Sequence, residues 1–224
     1  MIALLWALGC TSDTPRFDVG GADTGGDAAQ TYMCGGWAPW VVGRTFTSHA
    51  RGTDWESDRS RTISVMDEDG TVERTVEVDD VYFPGAGIER GHCDDTGYVL
   101  DELEYAQEGY SYVNTYHPGA FWIPRPQPLG AAWVSAYTIE WVDGDGSSGS
   151  TEGSYTSTVV NVETVSLPIG VVRAFRVEVR GTDDDTLWSD LWYAEGLGQV
   201  QSISYDGDMN PTQQFQLVSI QDGP

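Results

Sequence analysis

Thirty-five carboxylates, three histidines and three cysteines carry what chemistry this chain can offer, against eleven arginines and no lysine. The tightest grouping is Gly91-His92-Cys93-Asp94-Asp95, which sets a thiol beside a base. A nucleophilic cysteine needs its base on the same face, and adjacent strand residues point to opposite faces. If this segment is a strand, His92 and Cys93 do not meet. The chain has no nucleophile elbow, no HExxH helix and no phosphate loop, and Gly146-Ser-Ser-Gly149 falls in a hairpin that implies no oxyanion hole. The residues predict no enzyme and no catalytic residue.

Oxygen-rich turns at Asp143/Asp145, Asp183–Asp185 and Asp206/Asp208 raise calcium, but none has EF-hand spacing or a closing Glu at the twelfth position. Asp-Gly pairs are also what hairpin turns use. No metal site and no cofactor is expected. The net charge of −24 excludes nucleic acid as a direct partner, since a duplex would be repelled and no basic, aromatic-interleaved stripe opposes that field. Anionic lipid headgroups are repelled for the same reason.

The elements that must position these residues read as strands, with no convincing amphipathic helix. Over Trp133 to Val142, Trp133, Tyr137, Ile139 and Trp141 share one face and Val134, Ala136, Thr138 and Glu140 the other, the period-two pattern of a half-buried strand. Arg61–Met66 and Thr71–Val78 flank Asp67-Glu-Asp-Gly70, and Ile88–Cys93 and Tyr98–Glu104 flank Asp94-Asp-Thr-Gly97, each pair a hairpin with Gly at the turn. Tyr155–Thr164, Val172–Arg180, Leu187–Ala194, Gln199–Tyr205 and Gln213–Ile220 complete the set. The prediction is an all-β fold: a strongly curved antiparallel meander or half-barrel of roughly ten strands, with one concave face.

Tyr116 to Pro128 departs from this grammar, with four prolines and three aromatics, and reads as an extended connection. Phe121, Trp122 and Ile123 would either cover the concave face or plug the open end of the half-barrel. With Trp133, Tyr137 and Trp141, Phe121 and Trp122 are the candidate residues for a lipid, another apolar molecule or a glycan held on that face.

At the N-terminus, Met1-Ile-Ala-Leu-Leu-Trp-Ala-Leu-Gly9-Cys10 resembles the lipobox of bacterial lipoproteins. The resemblance implies cleavage after Gly9, acyl chains on Cys10, attachment to the membrane through those chains, and a place in the cell envelope. Thr11 after the cysteine favours, by the same resemblance, the outer membrane. Ala7 stands where the family prefers Leu. No Lys or Arg precedes Arg16, so residues 1–9 are expected to be the truncated end of a signal peptide. Residues 10–30, rich in Gly, Asp and Ala, read as a disordered tether spanning roughly 25 Å, and residues 31–224 as a single β domain.

With Cys10 given to the anchor, Cys34 and Cys93 remain to pair. Export to an oxidising compartment favours a disulfide over two buried thiols, and neither cysteine has a CxxC partner for metal.

A second resemblance covers about the last ninety residues. Val160-Asn-Val-Glu163-Thr-Val-Ser-Leu167-Pro168-Ile-Gly170-Val-Val-Arg-Ala174-Phe175-Arg176-Val177-Glu178, then Trp192-Tyr193-Ala194-Glu-Gly196-Leu-Gly198-Gln-Val200, is similar to the ending of uncharacterised exported bacterial lipoproteins. It implies a fold like the half-barrels of lipoprotein carriers and attaches no catalytic activity. Pro168 and Gly170 are expected to shape a turn, and Gly196 and Gly198 a bend between strands. Two functions follow as expectations: a non-enzymatic envelope lipoprotein binding an apolar ligand or lipid, or a structural or assembly lipoprotein acting through protein contacts on its loops.

Overall fold

From Thr45 onward every strand is hydrogen-bonded to the strand before it and the strand after it, and the last strand returns to the first. The computed structural model describes residues 32–34, 38–67, 70–80, 84–94, 97–124, 127–182 and 185–223, with the backbone alone at 32–34, 38–39, 80 and 120–124. The expected signal peptide, Cys10 and the tether lie outside these residues.

A short hairpin, β1 (Tyr32–Cys34) and β2 (Ala38–Trp40), precedes the barrel. The barrel strands are β3 (Thr45–Gly52), β4 (Glu56–Met66), β5 (Thr71–Asp80), β6 (Gly85–Cys93), β7 (Gly97–Gln107) and β8 (Tyr110–Pro124). They continue as β9 (Ala132–Asp143), β10 (Ser148–Leu167), β11 (Gly170–Gly181), β12 (Leu187–Ala194), β13 (Gly198–Tyr205) and β14 (Pro211–Gln221). All twelve run antiparallel, and β14 pairs with β3 from Gln213↔Gly52 to Gln221↔Thr45.

The half-barrel expectation is therefore corrected to a closed barrel. Closure removes both sheet edges, which an open sheet of this length would leave as unpaired donors and acceptors. Two strands absent from the sequence reading complete the circle. Inward positions of β3 are Phe46, Ser48 and Ala50, too small and polar to show apolar alternation. Much of β8 lies in the segment expected to be an extended connection. Tyr116 and His117 pair with Ile139 and Thr138 of β9, and Ala120 to Pro124 pair with β7. Pro118 is accommodated by a register slip: Glu102 pairs with Thr115 and Leu100 with Ala120, so residues 116–119, with Pro118 and Gly119, bulge from the β7 ladder.

Because the strands alternate in direction, the turns segregate to two ends, here called base and mouth. The base holds two apolar clusters. Ile63, Met66, Val72, Tyr98 and Leu100 pack with Phe175, Val177 and Tyr193, and Trp40 of β2 inserts among them. Leu167, Val172, Ala174, Trp192, Val200 and Leu217 form the second cluster, and Phe46 touches both. Trp40 is 2% exposed and its ring stands 5.1 Å from that of Tyr98. Trp40 thus stops the base.

The C-terminal pattern does what its residues predict. Pro168 and Ile169 form the β10–β11 turn, with Gly170 at φ 127°, and Gly196 and Gly198 hold φ 76° and 75° in the β12–β13 turn. The β12–β13 register shifts at Trp192/Tyr193, a bulge next to that turn.

Candidate functional site

Above the apolar base the interior carries charge. Arg74 lies in phase with Val72 and Val76 on β5, and it is the cross-strand partner of Glu89 on β6. Arg74 Nη2 stands 2.6 Å from Glu89 Oε2, and Arg61 Nε donates to Glu89 Oε1 at 3.1 Å. Glu89 is 3% exposed and Arg74 4%. The Arg74 guanidinium also lies 4.5 Å from the Tyr98 ring centroid and 5.3 Å from that of Trp40. Such stacking is worth about 2 kcal/mol or more when desolvated. Burial opposes ionisation of Glu89, but Arg61, Arg74 and Arg59 together hold its carboxyl below the usual range. Burial and the neighbouring Arg61 lower the Arg59 guanidinium.

Three guanidiniums thus share one carboxylate. The other buried charged group is balanced by comparison: Asp190, which accepts from the Tyr205 hydroxyl at 2.9 Å, stands with Arg176, Glu178 and Arg180. Arg59 Nε and Arg74 Nε have no hydrogen-bond partner among the described residues. Beside Arg61 and Arg74 lies a cavity of about 50 Å³, lined also by Phe46, Ser48, Leu197, Gln199, Phe215 and Leu217.

Toward the mouth the interior turns to tyrosine. Ring centroids of Tyr105 and Tyr112 lie 5.6 Å apart, Tyr110 and Tyr112 5.8 Å, Tyr116 and Tyr137 6.2 Å, and Tyr137 and Tyr155 6.0 Å. Burial raises the phenols of Tyr112, Tyr116 and Tyr155. Two depressions open at the mouth. One of about 270 Å³ is lined by Tyr110, Tyr112, Asn114, Trp141 and Asp143, and one of about 600 Å³ by turn residues including Ser111, Asp143 and Asp145.

The structure separates the expected ligand residues rather than gathering them. Trp133, Tyr137 and Trp141 all point inward on β9, as the alternation requires, but they occupy three levels. Trp133 packs against the base cluster, Tyr137 sits in the tyrosine ladder, and Trp141 lines the mouth. Eight strand residues separate the first from the last by about 26 Å. The side chains of Phe121, Trp122 and Ile123 lie outside those described; their backbone belongs to β8.

No protein-family model matches the chain, and no curated protein matches it. Its likeness is to solved structures. A protein of Bacteroides fragilis NCTC 9343, assigned as exported and as having a YmcC-like fold, superposes with a TM-score of 0.51 at 13% identity, over 83% of this chain and 99% of its own. A protein of Parabacteroides distasonis ATCC 8503, assigned as a lipoprotein, reaches a TM-score of 0.46 at 13% identity, over 82% of this chain and 97% of its own. The first likeness shows the fold: this barrel is YmcC-like.

The outer wall of the barrel is polar over β3 to β7. Glu73, Glu77, Asp58, Glu102 and Glu104 face outward, and Arg90 bridges Glu73, Glu102 and Glu104. A lipid-embedded barrel needs an apolar outer band about 25 Å tall, which these strands do not supply. Each histidine is paired across strands to a carboxylate: His49 to Asp58 at 2.9 Å, His92 to Asp101 at 2.7 Å and His117 to Glu140 at 3.6 Å. His92 and Cys93 diverge as strand neighbours.

Two of the acidic turns use their oxygens on their own backbone. Asp206 Oδ1 accepts from the amides of Asp208 and Asn210, and Asp145 Oδ1 from the Ser147 amide and hydroxyl. These bonds hold both carboxyls below the usual range. Asp183 and Asp184 lie outside the described residues.

What sequence reasoning missed was the charged layer. Arg74 on an otherwise valine face is a legible signal. Glu89 is flanked on its face only by Gly87 and Gly91, which say nothing of burial.

Proposed function

We propose that this chain is a lipid-anchored lipoprotein of the bacterial cell envelope, without catalytic activity, whose barrel is a rigid platform and whose mouth hairpins engage a protein partner. The observation that carries this reading is the closed barrel with aromatic and charged side chains packed across its base. The pocket beside Arg61 and Arg74 is about 50 Å³, far below the roughly 300 to 1,000 Å³ of a small-molecule pocket, which speaks against a lipid tail lodged at that level. Anchoring rests on Gly9-Cys10, with acyl chains on Cys10 and the outer membrane as the favoured site. It is supported by the protein of the same fold being assigned as exported. A Cys34–Cys93 disulfide would tie the N-terminal hairpin to the end of β6.

A second reading has its own observation. Tyr110, Tyr112 and Trp141 stand beside Asn114 and Asp143 at the mouth, which is the pairing of ring faces with polar acceptors that suits a glycan. Native mass spectrometry of the full chain, compared with the denatured mass, separates the two. A mass free of any adduct of several hundred daltons is expected. A lipid-sized adduct lost on denaturation overturns the platform reading, and a glycan-sized one makes the mouth reading primary.

A further inference from the structure

The charged layer is unbalanced inside a protein that is otherwise acidic. Among the described residues Arg59, Arg61 and Arg74 face only Glu89, an excess of two positive charges in this layer, whereas the Asp190 cluster sets two carboxylates against two guanidiniums. Burying uncompensated charge is costly, and the cost is relieved by a counter-charge at contact distance. The rings of Trp40 and Tyr98 meet part of that need at Arg74. They do not use its Nε, which is buried and without a hydrogen-bond partner.

The same two guanidiniums border the cavity between the two base clusters. Its volume of about 50 Å³ holds roughly three or four water-sized groups, and Ser48 and Gln199 line it together with Phe46, Leu197, Phe215 and Leu217. A site of this volume with two guanidiniums in its lining, one of them with an unpartnered buried Nε, suits a small oxyanion, which the fork of Arg binds well.

We propose that Arg61 and Arg74 bind a small free oxyanion, of the carboxylate or phosphate type, inside the barrel. The anion completes the charge balance that Glu89 leaves open. It is a site distinct from the mouth, and it does not depend on the platform reading. The cavity size decides for a free anion over the acidic head of a larger molecule.

The test is thermal unfolding of the full chain at constant ionic strength, with sodium gluconate, whose anion is too large for the cavity, replaced stepwise by sodium acetate or sodium phosphate. A saturable rise in Tm with either anion is expected, since a ligand that binds only the folded state stabilises it by mass action. Octanoate at equal concentration is expected to give no rise. Glu89→Gln raises the interior excess from two to three and should tighten the apparent Kd at least tenfold. Arg61→Gln lowers the excess to one and should weaken it at least tenfold. Melting indifferent to the anion overturns the proposal. So do variants that shift the apparent Kd in the same direction, and octanoate binding as well as acetate overturns the assignment to a free small anion. If Glu89→Gln does not fold, the wild-type anion series and Arg61→Gln decide.

Discussion

Tyr98 lies over Gly91, the two on neighbouring strands β7 and β6, so closely that a Cβ at position 91 would stand 2.8 Å from the Tyr98 hydroxyl. It would also run into the Val99 carbonyl, which is backbone and cannot swing away. The absent side chain is what lets Tyr98 lie flat enough to form the shelf on which Arg74 rests.

Gly91→Ala is therefore expected to destabilise the fold by about 1–3 kcal/mol, as overpacking does. Gly207→Ala, where a Cβ meets open space, should stay within about 0.5 kcal/mol of wild type. Urea unfolding of both variants checks the pair; equal effects would remove the steric account.

Glu89→Gln leaves three buried guanidiniums without their carboxylate and should cost about 3–5 kcal/mol. The folded carboxyl titrates below its ordinary value of 4.5, so its contribution is complete above that pH and is lost as pH falls through the depressed value. Urea midpoints from pH 6 to pH 3 should show wild type and variant converging only below about pH 4.5. A constant gap down to pH 3 would contradict the ion-pair account.

Alkaline titration reports on the tyrosines. Burial pushes Tyr98 and Tyr205 up to about 12 and Tyr193 higher still, with Asp190 adding to the shift at Tyr205. Raised phenols contribute stability that is whole below the unfolded value of about 10 and is lost as pH climbs through the folded one. Ultraviolet absorbance at pH 11 should find at least these three of the eleven tyrosines still protonated, followed by a cooperative release on unfolding. A smooth titration of all eleven near pH 10 would mean the interior admits water.

If Cys34 and Cys93 pair, the intact mass is two hydrogens light and reductant lowers Tm. A loop of this length is worth roughly 4 kcal/mol in the chain-entropy model. Labelling of both thiols in the unreduced, denatured chain would exclude the bond.

Most of the barrel was legible in the residues, and the gaps have physical causes. β4 to β7 and β9 to β14 were visible because inward Val, Ile, Leu and aromatic side chains alternate with Thr, Glu and Arg. The first part of β10 was not, because its inward positions are Gly149, Thr151 and Gly153. Those residues are small since aromatics from β9 cover them: a Cβ at 153 would stand 2.8 Å from the Tyr137 ring. Closure was hidden for another reason. Alternation reports which face a residue takes and carries no information on which distant strand seals the circle. Hence Arg61, Arg74 and Glu89 each fell in a predicted strand, while their convergence on one cavity did not show.

That seal sets the order of events in folding. Arg51 pairs with Gln214, 163 residues away, and Arg44 with Asp222, 178 residues away, whereas every other strand pairing in the barrel joins strands consecutive along the chain. Hairpins between β3 and β14 can zip locally as soon as their residues are available, but the seam between the first and last strands waits for the C-terminus. Until then the sheet has two bare edges. Its rate-limiting step and its window for aggregation are the same event, and a chain lacking β14 would never leave that window.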